Sequence, residues 1–146
     1  MPVEIKDCDR GSGVIIETRG RMIDQELIDA FDDLLTPDEE RLKQYKYILI
    51  DHTALTKVDI TDETVETISE LFANTARVNP DSVVAMVTYV SYGAGIETVD
   101  RISRISEVFR NRSCWDTLLF RTRPQAVRWI KGKVKERFGI EGLSFD

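Results

Sequence analysis

The chain has one histidine, two cysteines and no apolar run longer than Val83–Val87. Each shortage excludes something. A membrane-spanning helix needs about 20 consecutive apolar residues, so no span is expected. Cys8 and Cys114 stand far apart in no metal spacing, and a single histidine completes no zinc ligand set. The thiols read as free, which suits a reducing cytoplasm. Cys8 closes a strand-like run and reads as a small buried hydrophobe. Met1-Pro2-Val3-Glu4 lacks a basic region followed by an apolar stretch, so no signal peptide is expected. There is no linker, internal repeat or low-complexity tract, and no nucleophile setting such as Gly-x-Ser-x-Gly.

What remains is an ordinary globular balance. Of 146 residues, 42% are apolar and 32% charged, which predicts one domain over residues 1–146 with a sizeable core. The net charge of −6 hides an asymmetry. Residues 1–100 carry 9 Lys/Arg against 21 Asp/Glu, whereas residues 101–138 carry 11 against 3. Arg128, Lys131 and Lys135 fall on the outer face of the last predicted helix, and Asp24, Glu26, Asp29, Asp32 and Asp33 crowd the first. Two such surfaces fit a homodimer or an acidic protein partner. An acidic chain without a recognition motif excludes nucleic acid.

Periodicity predicts the order β-β-α-β-α-β-α-β-α. Val3-Glu4-Ile5-Lys6 alternates, Asp9–Gly13 turns on its glycines, and Val14–Thr18 returns as the second strand of a hairpin. A helix follows, N-capped by Asp24, with Leu27, Ile28, Phe31, Leu34 and Leu35 inward. Thr36-Pro37-Asp38-Glu39 ends it and can start a short helix. Lys46–Asp51 is a buried strand, followed by a polar loop. The helix from Thr61 to Val78 buries Val65, Ile68, Leu71, Phe72 and Ala76. Val83–Val90 is a buried parallel strand beside Tyr47–Asp51. Ser91–Gly95 turns into a helix with Val99, Ile102, Ile105 and Phe109 inward. Asp116–Arg121 is the fifth strand, and Arg123-Pro124 opens a last helix, with Ala126, Val127, Ile130, Val134 and Phe138 inward and Gly139 as its C-cap. The fold class is α/β: a five-stranded, mostly parallel mixed sheet with helices mainly on one face.

The chemistry-bearing residues cluster at strand ends. Asp51 ends a buried strand, and Asp59 and Thr61 stand at the next helix start, where α/β folds place their working groups. Thr61 reads first as a helix N-cap, with Asp62 and Glu63 favouring the helix dipole. His52 follows Asp51, but neighbours in a strand point to opposite faces, so the two do not share a pocket while the strand continues. Gly93-Ala94-Gly95 is half of a dinucleotide fingerprint, and Thr98 stands where its last glycine would be. A tight turn is the simpler reading, and no cofactor is implied.

The chain resembles the STAS, or SpoIIAA-like, family of bacterial anti-sigma-factor antagonists. It is more similar still to an uncharacterised bacterial STAS/Sec14-like branch. The resemblance rests on Ile48-Leu49-Ile50-Asp51, on Val83–Val87 with Tyr92-Gly93 after it, and on Leu119-Phe120-Arg121-Thr122 with Ala126 and Trp129. It covers about residues 12–132. The antagonists carry Asp-Ser-Ser-Gly eight residues after a strand-end Asp, and the second Ser accepts phosphate. Here Asp59-Ile60-Thr61-Asp62 holds that place, which puts Thr61 at the phosphoacceptor position and departs from the pattern at Ile60 and Asp62. The resemblance implies a non-catalytic regulatory module that binds protein through an edge of Asp51, His52, Asp59, Thr61, Ser91, Tyr92 and Gly93. The alternative is a carrier of lipid or another small ligand, as in Sec14-like relatives, and an enzyme ranks third.

Overall fold

The structure, a computed structural model, describes residues 3–35, 39–88 and 95–146. The strands are β1 (Val3–Cys8), β2 (Gly13–Ile23), β3 (Tyr47–Asp59), β4 (Val83–Val87) and β5 (Asp116–Phe120). The helices are α1 (Asp24–Leu35), α2 (Glu39–Gln44), α3 (Asp62–Val78), α4 (Ile96–Arg112) and α5 (Arg123–Phe138). The sheet runs β1-β2-β3-β4-β5, with β1 antiparallel to β2 and every other pair parallel. This is the expected α/β architecture. Tyr47–Asp51 lies against Val83–Val87 in parallel, as their apolar character required. The turn at Thr36-Pro37-Asp38 lies outside the described residues, as do Tyr89 and Val90, the expected end of β4.

Strand alternation sorts the core into two layers. Ile48 and Ile50 face α1, α3 and α4, where Phe31, Phe72, Phe109 and Trp115 meet. Phe72 is central to that cluster, with ring centroids 5.1 Å from Phe31, 5.2 Å from Phe109 and 5.8 Å from Trp115. Tyr47 and Leu49 face the other way, onto Ala126, Ile130 and Val134 of α5. Helices therefore lie mainly on one face, and α5 covers the second. Gly139 closes α5 in the left-handed conformation, with φ of 67°.

Two expectations are corrected. Residues 52–59 are not a loop, because β3 runs on to Asp59 beside a β2 that runs on to Ile23. Their pairing carries register shifts between Glu17 and Arg19 and between Gly20 and Arg21. Those irregularities break the alternation, and one side of the ribbon is exposed, so its sequence looks loop-like. Nor is the turn after β1 built on glycine alone, since Asp9 and Arg10 also take positive φ, 50° and 58°.

Candidate functional site

Asp51 lies within β3 on the α5 face, where the pairing of β3 with β4 ends at Val87. Its Oδ2 accepts from Arg123 Nη1 at 3.3 Å, and its Oδ1 accepts from the backbone N–H of Thr53 at 2.9 Å and from the Thr53 hydroxyl. Arg123 opens α5 and also donates to Glu17 Oε1 at 2.8 Å. One guanidinium thus bridges carboxylates from β2 and β3. The Arg123 hydrogen bond holds the Glu17 carboxyl below its usual range, and Arg19 adds to it. Each acid of the group has its donors: Arg123 and Arg19 for Glu17, and Arg123 and Thr53 for Asp51.

His52 points to the opposite face, as strand geometry requires. Its Nδ1 lies 2.8 Å from the Thr18 hydroxyl, in a buried site. Burial pushes its pKa down to about 4, against a smaller upward pull from Asp51. His52 is thus a buried side chain on the face opposite Asp51, 6% exposed. A pH prediction follows. The folded state binds this proton less readily than the unfolded chain, whose histidine titrates near 6.5. The stability His52 contributes is therefore complete above pH 6.5 and drains away as pH falls toward 4. At pH 5 the loss is about 2 kcal/mol for a shift of this size. Denaturant melts of wild type and His52→Gln at pH 7.5 and pH 5 check it. The wild type should lose more stability than the variant over that range, and equal losses would show that the ring titrates normally.

Asp59 and Thr61 stand at the far end of the β2–β3 ribbon. Asp59 Oδ2 accepts from Arg21 Nε at 2.6 Å and lies 3.8 Å from Lys57 Nζ. Thr61 caps α3 as expected, its hydroxyl oxygen accepting from the Thr64 N–H at 3.3 Å. The same hydroxyl donates to Asp24 Oδ2 at 3.2 Å, and the Thr61 N–H donates to Asp24 Oδ1 at 2.8 Å. Asp24 thus ties α1 to the start of α3. A phosphate on Thr61 would face Asp24 as well as Asp59, Asp62 and Glu63.

Beside this ribbon end lies a cleft of about 680 Å³, lined by Thr56–Asp59 on one wall and by Gly95–Thr98 with Arg101 on the other. Its walls are tied together where Arg101 Nη2 donates to the Ile60 carbonyl at 2.8 Å and to Asp62 Oδ1 at 3.0 Å. Thr98 Oγ1 reaches the Thr56 carbonyl at 3.4 Å. Ile96, the first residue of α4, is 84% exposed at the rim. Ser91, Tyr92 and Gly93 precede this helix and lie outside the described residues. Sequence reasoning missed Ile96, Arg101, Glu17 and Arg123 as site residues. Ile96 alone left a signal, because it falls off the apolar stripe of Val99, Ile102 and Ile105.

No protein-family profile matches the chain, and a search of curated proteins finds no match. Among solved structures, it is similar to an uncharacterised protein with a SpoIIAA-like fold from Shewanella loihica PV-4. That match has 12% identity and a TM-score of 0.50, and covers 88% of this chain and 91% of the other. A second match is to SLC26A9, with 13% identity and a TM-score of 0.48 over 88% of this chain and 21% of that one. The fold is SpoIIAA-like. No helix among the described residues is long and apolar enough to cross a membrane.

Proposed function

We propose that this chain is a non-catalytic regulatory module, one domain over residues 1–146, that binds a protein partner in the cytoplasm. The contact edge is the cleft between the β2–β3 ribbon and α4, with Asp59, Thr61, Ile96 and Arg101 around it. The observation that carries the reading is Ile96. A single exposed apolar side chain is ordinary on a protein surface, so what supports the reading is the place of Ile96, 84% exposed, at the mouth of a charged cleft. Around it stand Lys57, Asp59, Glu97 and Arg101, which gives the apolar centre and polar rim of an interface. The carrier reading has less support, because this cleft has charged walls where a lipid tail needs an apolar one. Ser91, Tyr92 and Gly93 belong to the proposed edge by their place in the sequence.

Ile96→Asp is the test. Affinity capture from the native host is expected to retain a stoichiometric protein with the wild type, and about tenfold less with the variant, as removal of a central apolar anchor implies. The melting temperature should barely change, because the side chain is exposed. Undiminished capture by the variant would move the interface elsewhere. A co-purifying small molecule with no protein would favour the carrier.

A further inference from the structure

Asp9, Arg10 and Phe145 are the non-glycine residues with positive φ among those described, at 50°, 58° and 61°. Phe145 is distant in sequence from the other two, and its N–H meets Asp9. The Asp9 carboxylate accepts from the Ser144 N–H at 2.7 Å and the Ser144 hydroxyl at 2.9 Å on Oδ1. On Oδ2 it accepts from the Phe145 N–H at 3.2 Å and the Tyr47 hydroxyl at 2.5 Å. Its own N–H donates to the Asp146 carbonyl at 3.0 Å. A single aspartate thus reads the main chain of residues 144–146 through both donors and acceptors. The side chains alternate. Leu143 and Phe145 are buried and Ser144 is exposed. The Phe145 ring lies 4.8 Å from that of Tyr47, with Lys131 Nζ 6.0 Å above it.

This is the form of a docked peptide: backbone hydrogen bonds give affinity, and alternate side chains enter pockets. Two left-handed glycines and two clefts border the segment. Gly139 and Gly142 flank its start with φ of 67° and 77°. Clefts of about 250 and 530 Å³ open along it, the first against Lys131 and Lys135, the second against Asp9, Arg10 and Ser12. Strained backbone of this kind persists where the surroundings hold it, and it gathers at clamps and switches.

We propose that the Asp9 turn and the Tyr47 ring form a peptide-recognition site, filled in cis by Leu143–Asp146, that takes the same segment of a second copy when the hinge at Gly139–Gly142 opens. Each copy offers both the site and the ligand, so exchange is reciprocal and closes as a two-fold dimer. The contact carries its own specificity: an aromatic residue two positions after leucine, with free backbone N–H groups at and before it.

The test uses the full chain with Phe145→Ala, which removes the cis anchor, and a fluorescent Gly-Leu-Ser-Phe-Asp peptide capped at both ends. The variant is expected to bind the peptide. The wild type should bind it about tenfold more weakly or worse, since its site is open only a fraction of the time. Asp9→Asn in the Phe145→Ala background should weaken binding by a similar factor. Wild type at rising concentration should form a dimer in sedimentation, and Phe145→Ala should not. No binding by Phe145→Ala at millimolar peptide, binding indifferent to Asp9, or a wild-type monomer at every concentration would each overturn the proposal. Hydrogen exchange on the wild type gives a readout independent of any variant's folding. The Ser144 and Phe145 amides must exchange by local opening, faster than those of Leu49 and Ile50, and equal protection would overturn the hinge.

Discussion

Alanine at Gly13 is expected to cost about 3 kcal/mol, toward the upper end of what overpacking a filled core costs. A Cβ built on Gly13 would lie 1.9 Å from Cζ of Tyr47, with two more ring carbons within 2.4 Å. The two residues are cross-strand partners at the start of β2 and β3, so the glycine is where the ring lies. The ring has nowhere to retreat. It is fully buried, its hydroxyl is held on Asp9 and its face packs on Phe145. The expected fall in melting temperature is about 10 °C for a chain of this size. Tyr47→Ala alone is also costly, but Gly13→Ala in that background should be nearly neutral, because the overlap has gone. The four-way cycle by thermal or urea melts checks this. Additive losses would show that the ring overlap is not the cause.

Phe72→Ala is expected to cost about 4 kcal/mol, within the range for truncating a buried phenylalanine. The side chain is 1% exposed and touches aromatic rings from α1, from α4 and from Trp115 just before β5. These neighbours are anchored on separate elements, so they cannot close together over the space it leaves. Phe72→Leu, which keeps most of the volume, should cost roughly half as much. Urea titration is the measurement, read at unchanged slope. A loss below about 2 kcal/mol would mean that the α-helical layer relaxes into the cavity.

The readable parts of the fold were those whose signal is local. Val83–Val87 is apolar throughout because a central parallel strand is buried on both faces. The 3.6-residue stripes of α3 and α5 mark one buried side each, and Thr61, Pro124 and Gly139 mark their ends. The opposite facing of Asp51 and His52 follows from the period of a strand alone. By contrast, the polar surface of residues 52–59 concealed a strand, because two pairing irregularities and an exposed side erase the alternation that reveals one.

The candidate site divides along the same line. Asp51 and Asp59 were visible as acids near strand and helix ends, but their environments were not. Arg123 reaches Asp51 across 72 residues of sequence and Glu17 across 106, and no spacing rule connects them. The basic face of α5 was legible as charge, whereas its use was not: Lys135 pairs with Glu141 and Lys131 lies over Phe145. Local residue order by itself determined the kinds of element, their sequence and the strand parity that separates Asp51 from His52, because those depend on interactions within a few residues. The tertiary structure alone decided which carboxylates are neutralised, that His52 is sealed in and Ile96 left out, and that Asp9 holds residues 144–146. Each of those depends on groups brought together by chain closure over tens of residues or more, and the free energy of such a contact is a property of the packed fold.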